Sequence, residues 1–202
     1  PGATNMVTGV ASAYYDSVPV LYLTGQVATF RLKGDGGIRQ LGFQETDTVD
    51  IFKPITKYAV MVREPAMIKY ELEKAVYISK SGRPGPVIVD IPDDLQREDI
   101  DPGSLCSYIP DLTVANENDS SEKISECIQL INQSKRPVIV LGWGIRLSQS
   151  EKEALTFIEA LGFPVLLSFA MRDFLESSSP LNVGSFGSHG TRYGNFTIQN
   201  SD

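Results

Sequence analysis

The stretch SGRPGPVIVDIPDD, residues 81–94, decides how the rest of the chain is read. Gly82, Pro84 and Gly85 stop any helix that runs into it. Val87-Ile88-Val89 is then a short apolar run of the kind buried on both faces of a parallel sheet, and Asp90–Pro92 closes the strand. A polar stretch follows before periodic structure resumes, so the chain reads as two pieces joined here. Arg83 stands at the mouth of this strand, within reach of a ligand lying between the pieces.

Upstream, Glu64-Pro65 opens a helix that ends at Gly82, with Ile68, Leu72, Ala75, Val76 and Ser79 along one side. Tyr58–Val62 reads as a strand, and so does Pro19–Leu23, which ends at Thr24-Gly25-Gln26. Polar and glycine residues past a strand's C-terminal end are where open α/β sheets place ligands, although a plain turn also uses them. At the start, Thr4 or Asn5 caps a helix reaching about Tyr15, with Val7, Val10, Ala11 and Tyr14 on its apolar face. The loop Phe30–Leu41 holds Gly34-Asp35-Gly36-Gly37, read as a flexible turn because no strand precedes it. Gly42–Asp47 leads into a short helix ending at Phe52, and Glu45 reads as a helix-start carboxylate satisfying backbone N–H groups.

Downstream, residues 97–120 lack periodicity and form an interdomain connection. Helix Ser121–Gln133, strand Arg136–Leu141, helix Gln149–Leu161 and strand Pro164–Ser168 then begin a second unit. The last stretch, Val183–Asn200, carries Gly184, Gly187, Gly190 and the single histidine, His189, ahead of a short helix. The expected fold is α/β, with two doubly wound parallel-sheet units at 1–95 and 120–202 and a linker at 96–119. Val20–Leu23, Val87–Val89, Val138–Leu141 and Val165–Leu167 are its expected interior strands.

A net charge of −7 and a pI near 4.8 argue against a nucleic-acid backbone or an anionic membrane as the main partner. No apolar run is long enough to span a bilayer. Cys106 and Cys127 suit free thiols in a reducing, cytoplasmic setting. The chain starts at Pro1 without a methionine and stops where a strand is due, and reads as a fragment. Gly142-x-Gly144 has the strand–turn–helix context of a dinucleotide loop, but position 147 is Leu and no acidic ribose partner is evident. His189 has no nucleophile or second ligand at a useful spacing, and no metal site is expected. Residue chemistry alone therefore stops at an α/β protein with its ligand at the strand ends.

The ordered set PGATN, TGQV, GFQETD, PITKY, SGRPGPVIVDIP, RPVIVLGWG and GSHGTRYGN resembles the thiamine-diphosphate-dependent enzymes of the acetolactate synthase type over nearly the whole chain. The resemblance implies the C-terminal part of a pyrimidine-binding domain, followed by most of a central domain of the FAD- or ADP-binding type. It implies that Pro1, Gly2 and Asn5 line the pyrimidine end of thiamine diphosphate, with Phe43 and Gln44 bordering the substrate side. It also implies flavin contacts from Arg83, from Gly142-Trp143-Gly144, from Ser168, Phe169 and Ala170, and from Phe186, Gly187, Ser188 and His189.

The activating glutamate of that family lies before Pro1, and its Mg²⁺ ligands lie beyond Asp202, so this stretch alone is expected to be inactive. The implied protein is a carboligase or decarboxylase of pyruvate or a related 2-oxo acid, assembled as a homodimer or homotetramer. A non-catalytic nucleotide-binding module is the alternative. Four positions depart from the family: Ala28 replaces a usual proline, Phe30–Leu41 is longer, Asp93 replaces a usual lysine, and Trp143 replaces a glycine. The first three fall at the active-site mouth and leave room for a different acceptor, such as a sugar-nucleotide-derived ketone or another aldehyde.

Overall fold

A computed structural model describes residues 1–34, 36–111 and 121–202. Asp35, in the glycine-bearing turn, and 112–120, within the expected connection, lie outside them. The described residues group into two compact units, Pro1–Ala115 and Asn116–Asp202, each with its own parallel sheet.

The first unit contains α1 (Val7–Tyr15), β1 (Leu21–Gln26), α2 (Thr48–Phe52), β2 (Tyr58–Met61), α3 (Ile68–Lys80) and β3 (Val87–Pro92). The strand order is β1-β3-β2, all parallel, so β3 is central. Side chains alternate across a strand. Val87 and Val89 accordingly pack with Val62 and Ala75, against Ile68, Leu72 and Ile78 of α3. Ile88 packs on the other side with Val10 of α1, Phe52 of α2 and Tyr22 of β1. The decisive stretch is thus covered on both faces, as its apolar run requires. It continues further than expected, since Asp90 lies inside the strand and not at its close.

Several local expectations are corrected. A 3-10 turn, Gly2–Met6, precedes α1, and neither Thr4 nor Asn5 caps the helix with its side chain. Thr4 Oγ1 instead donates to the Pro1 carbonyl at 2.6 Å. The stripe that packs inward is Met6, Val10 and Ala13, with Val7 and Tyr14 left partly outside. On α3, Ile78 packs inward where Val76 was expected, because the helix turns Val76 to the surface. Part of the expected linker is held in place: Tyr108 lies edge-on to Tyr70, with centroids 5.4 Å apart, and its backbone N–H donates to Glu73 at 2.8 Å.

The second unit contains α4 (Ser121–Gln133), β4 (Ile139–Leu141), α5 (Gly144–Leu147), α6 (Glu151–Leu161), β5 (Val165–Leu167), β6 (Asn182–Ser185) and α7 (Arg192–Gln199). Its parallel sheet has the order β4-β5-β6. Leu141, Val165 and Leu167 pack with Ile158 of α6 and with Met171. The strand β6 was not expected, and it supplies the third member of this sheet.

Two strands expected in the interior are edges among the described residues. β1 pairs only with β3 and leaves Leu23 56% exposed; β4 pairs only with β5 and leaves Val140 47% exposed. An apolar run reports that a strand has a buried face. It does not report how many neighbours the strand has.

Candidate functional site

In the first unit, the C-terminal end of β1 meets the 3-10 turn at the chain's start and the loop before α2. Together they enclose a cleft of about 480 Å³ lined by Pro1, Gly2, Thr24, Gln26, Phe43 and Gln44, among others. That volume lies within the usual range for small-molecule sites. Four of the residues expected at a cofactor or substrate are therefore brought together. Asn5 belongs to the same turn but lies outside the lining.

The loop bearing Phe43 and Gln44 is built around a carboxylate. Glu45 is buried and accepts backbone N–H bonds from Lys33 at 2.8 Å, Leu41 at 2.7 Å and Gly42 at 3.3 Å. Burial pushes its pKa up, but the three N–H donors outweigh it and leave the group below the usual carboxylate range. The expectation that Glu45 satisfies backbone donors holds, although those donors belong to the preceding loop and not to α2. Gly42 is sterically required, since a Cβ there would sit 2.9 Å from the Arg31 carbonyl oxygen. Phe43 is 87% exposed at the cleft's rim. Gln44 has φ +67, a left-handed conformation that a side-chain-bearing residue rarely adopts.

The floor of the cleft is polar and fully bonded. Thr24 Oγ1 donates to Asp90 Oδ1 at 2.6 Å, and Gln26 Nε2 donates to Asp90 Oδ2 at 3.0 Å. The same Nε2 donates to the Thr46 carbonyl at 2.7 Å, while Gln26 Oε1 accepts the Val27 N–H at 3.0 Å. Sequence reasoning passed over Asp90, taking it as a strand terminator. The available signal was a carboxylate placed two residues beyond Ile88, hence on the same face of β3.

Arg83 lies ahead of β3, at the strand's N-terminal end. Its Nε donates to the buried Ser17 Oγ at 2.7 Å and its Nη2 to the Tyr15 carbonyl at 3.4 Å, tying down the end of α1. Gly85 of the same motif gives room to another side chain, because a Cβ there would lie 3.0 Å from Lys57 Cδ. Lys57 in turn donates to the Ile78 and Ser81 carbonyls at the end of α3, and burial lowers its pKa.

In the second unit, the remaining expected residues gather at the C-terminal ends of β4, β5 and β6. Trp143 sits at the start of α5 with the Arg146 guanidinium 5.6 Å from its ring centroid. The Ser168 N–H donates to the Leu141 carbonyl at 2.9 Å, which fixes the β5 end beside that of β4. Arg172 lies 4.7 Å from the Phe169 ring and donates to the His189 carbonyl, linking two of the expected segments. A smaller cavity of about 280 Å³ is lined by Leu167, Arg172, Gly184, Ser185, His189 and Tyr193, among others. Among the described residues no group of three His, Cys, Asp or Glu is placed to hold a metal ion. None of the described helices is long and apolar enough to cross a membrane.

Residues 1–51 match the family model described as "Thiamine pyrophosphate enzyme, N-terminal TPP binding domain", and residues 124–202 match "Thiamine pyrophosphate enzyme, central domain". The chain belongs to the thiamine pyrophosphate enzymes. Among curated relatives, it is 37% identical to an acetolactate synthase of Arthrospira platensis, aligned over all of this chain and 35% of that protein. It is 37% identical to the acetolactate synthase large subunit of Lactococcus lactis over the whole chain and 34% of the relative. For isozyme 3 of Escherichia coli the identity is 34%, again over the whole chain and 34% of the relative. The chain thus spans about a third of the length of the curated relatives it matches. The cleft falls within the unit that carries the thiamine-pyrophosphate-binding match, and its rim residues Phe43 and Gln44 lie inside the matched segment. These matches favour an enzyme over the non-catalytic nucleotide-binding module.

Proposed function

We propose that the natural protein is an acetolactate-synthase-like carboligase or decarboxylase acting on pyruvate or a related 2-oxo acid. The observation that carries this reading is the cleft at the end of β1, where Pro1, Gly2, Phe43 and Gln44 converge. The residues present fit the pyrimidine half of thiamine diphosphate. Leu23, Met6 and Pro1 offer apolar contact to a flat ring, and the backbone at Gly2 leaves open space where a side chain would stand. Gln44 and Thr46 add polar groups on the opposite wall. When bound, thiamine diphosphate supplies the stabilised carbanion that follows loss of CO₂ from a 2-oxo acid. In this reading Pro1 and Gly2 face the ring and Asn5 stands behind them in the same turn, while Phe43 and Gln44 border the incoming substrate. Mg²⁺ is held by ligands outside these 202 residues, and the protein works in the cytoplasm as a homodimer or homotetramer.

A flavin or ADP-like nucleotide is proposed for the second unit, at the ends of β4, β5 and β6. Gly142 and Gly144 support it, because a Cβ at either would meet nothing within 4 Å and neither has a positive φ. Packing within this unit does not demand those glycines, whereas close approach of a pyrophosphate does. Ser168, Phe169, Ala170, Phe186, Ser188 and His189 would border the ligand.

The test is to incubate the full-length protein with pyruvate, thiamine diphosphate and Mg²⁺ and to follow CO₂ release and acetolactate. Product that disappears when thiamine diphosphate is withheld, and falls at least tenfold in Gln44→Ala, is expected. No turnover of any 2-oxo acid by a protein that binds the cofactor would contradict it. For the second unit, a flavin absorbance spectrum is expected, and a colourless protein that takes up neither FAD nor ADP would contradict the nucleotide reading.

A further inference from the structure

Asp90 is 1% exposed in the central strand of the first sheet, on the face that otherwise packs Ile88 against Val10 and Phe52. An apolar residue would serve burial alone. A buried carboxylate persists only where donors compensate its desolvation. Its two oxygens are used separately, Oδ1 by Thr24 and Oδ2 by Gln26. Neither oxygen lines the cleft, but both partners do.

The Gln26 amide carries the connection outward. Its nitrogen bridges Asp90 and the Thr46 carbonyl, and its oxygen takes the Val27 N–H. Turned over, the amide would set oxygen against a carboxylate and a carbonyl, and nitrogen against an N–H, so its orientation is dictated by its partners. Thr46 stands two residues beyond Gln44, whose left-handed backbone has to be held by its surroundings.

We propose that Asp90 is a positioning residue for the cleft. Through the Gln26 amide it fixes the 42–47 turn and so places Phe43 and Gln44 at the rim. Alanine at this site would leave the Thr24 hydroxyl and a Gln26 N–H without their acceptor, whereas asparagine would keep both, its amide oxygen accepting from Gln26 while the Thr24 hydroxyl turns to accept its N–H. Without the carboxylate the Gln26 amide keeps only Thr46 and Val27, and the turn loses its tie to β3. The proposal concerns ordering of the turn; its consequence for cofactor binding rests on the thiamine diphosphate reading above.

The experiment compares Asp90→Ala with Val89→Ala in the full-length protein. Val89 is the neighbouring buried residue on the opposite face of β3, so its variant reports loss of core stability alone. Two quantities are read, backbone hydrogen exchange at 42–47 and the dissociation constant of thiamine diphosphate with Mg²⁺. Asp90→Ala is expected to speed exchange across 42–47 and to weaken cofactor binding, each by about tenfold or more, the scale of losing a hydrogen bond to a charged group. Val89→Ala is expected to change both by less than twofold at an equal or larger fall in melting temperature. Equal effects in the two variants, or an unchanged 42–47 segment in Asp90→Ala, would overturn the proposal. If Asp90→Ala does not fold, Gln26→Met is substituted, and faster exchange confined to 42–47 is again required. Faster exchange in a protein that never binds thiamine diphosphate would keep the positioning role and remove the cofactor assignment.

Discussion

At the ends of β1 and β3, the polar work is done by side chains: Thr24, Gln26 and Asp90 turn inward and bond to one another in a buried network. At the ends of β5 and β6, the equivalent place is occupied largely by backbone. Gly190 and Gly194 let α7 and its leading turn come so close to β6 that a Cβ would fall 2.6 Å from the Phe186 carbonyl carbon and 2.3 Å from the Ser185 oxygen. Both units direct donors and acceptors to the same end of a three-stranded parallel sheet. In the first, geometry is stored in hydrogen bonds between side chains; in the second, it is stored in the absence of side chains. Sensitivity to substitution should differ accordingly.

The largest effect is expected from adding a methyl group where the backbone has no room. Gly194→Ala should destabilise the second unit by about 3 kcal/mol, the upper part of the range for overpacking. Gly142→Ala, with nothing within 4 Å of its Cβ, should cost less than about 1 kcal/mol. Urea denaturation of both variants checks this. Similar losses at the two positions would erase the distinction between glycines required by packing and glycines left open for a ligand.

The side-chain network should respond less severely. Thr24→Val removes the donor to Asp90 Oδ1 and should lower the stability of the first unit by about 2 kcal/mol, as expected when a buried acceptor loses its partner. Arg83→Ala comes next. It removes the donor to buried Ser17 and should cost about 1 kcal/mol, measured by thermal melting. No change on removing Arg83 would mean that its bond to Ser17 contributes little to holding the end of α1.

The smallest effect is the pH response at the edge of the second unit. The Asp202 carboxylate accepts from the Ser134 hydroxyl and from the backbone N–H groups of Lys135 and Arg136, and these hold its pKa at about 2. Because the folded value lies below the ordinary 3.8, its stabilisation is complete above pH 3.8 and is lost as pH falls towards 2. Asp202→Asn should therefore flatten the melting-temperature decline between those limits and leave the curve above pH 5 parallel to that of the wild type. Glu45, also held below its usual range, gives the first unit an acid response of the same sign.

The same contrast explains what the sequence disclosed. Val87-Ile88-Val89 and Val165-Leu166-Leu167 are dense apolar runs, and both are the central strands of their sheets. β6 was not legible, because Asn182-Val183-Gly184-Ser185 has one large apolar residue and a glycine with φ +84 where alternation would be sought. The edge positions of β1 and β4 were not legible either, since pairing is a property of the assembled sheet. In the first cleft, the residues implied by family resemblance proved to be neighbours in four cases. The carboxylate beneath them was not foreseen, because Asp before Ile-Pro has the local look of a strand end. Its partners lie 64 and 66 residues away in sequence, beyond any local pattern.

The most direct test of the first cleft is hydrogen exchange of the full-length protein with and without thiamine diphosphate and Mg²⁺. Slower exchange at residues 1–6, 23–27 and 42–48 is expected, because these segments enclose the proposed ring site. Cofactor binding that leaves all three segments unchanged, with protection confined to other parts of the protein, would contradict the placement of thiamine diphosphate at the end of β1.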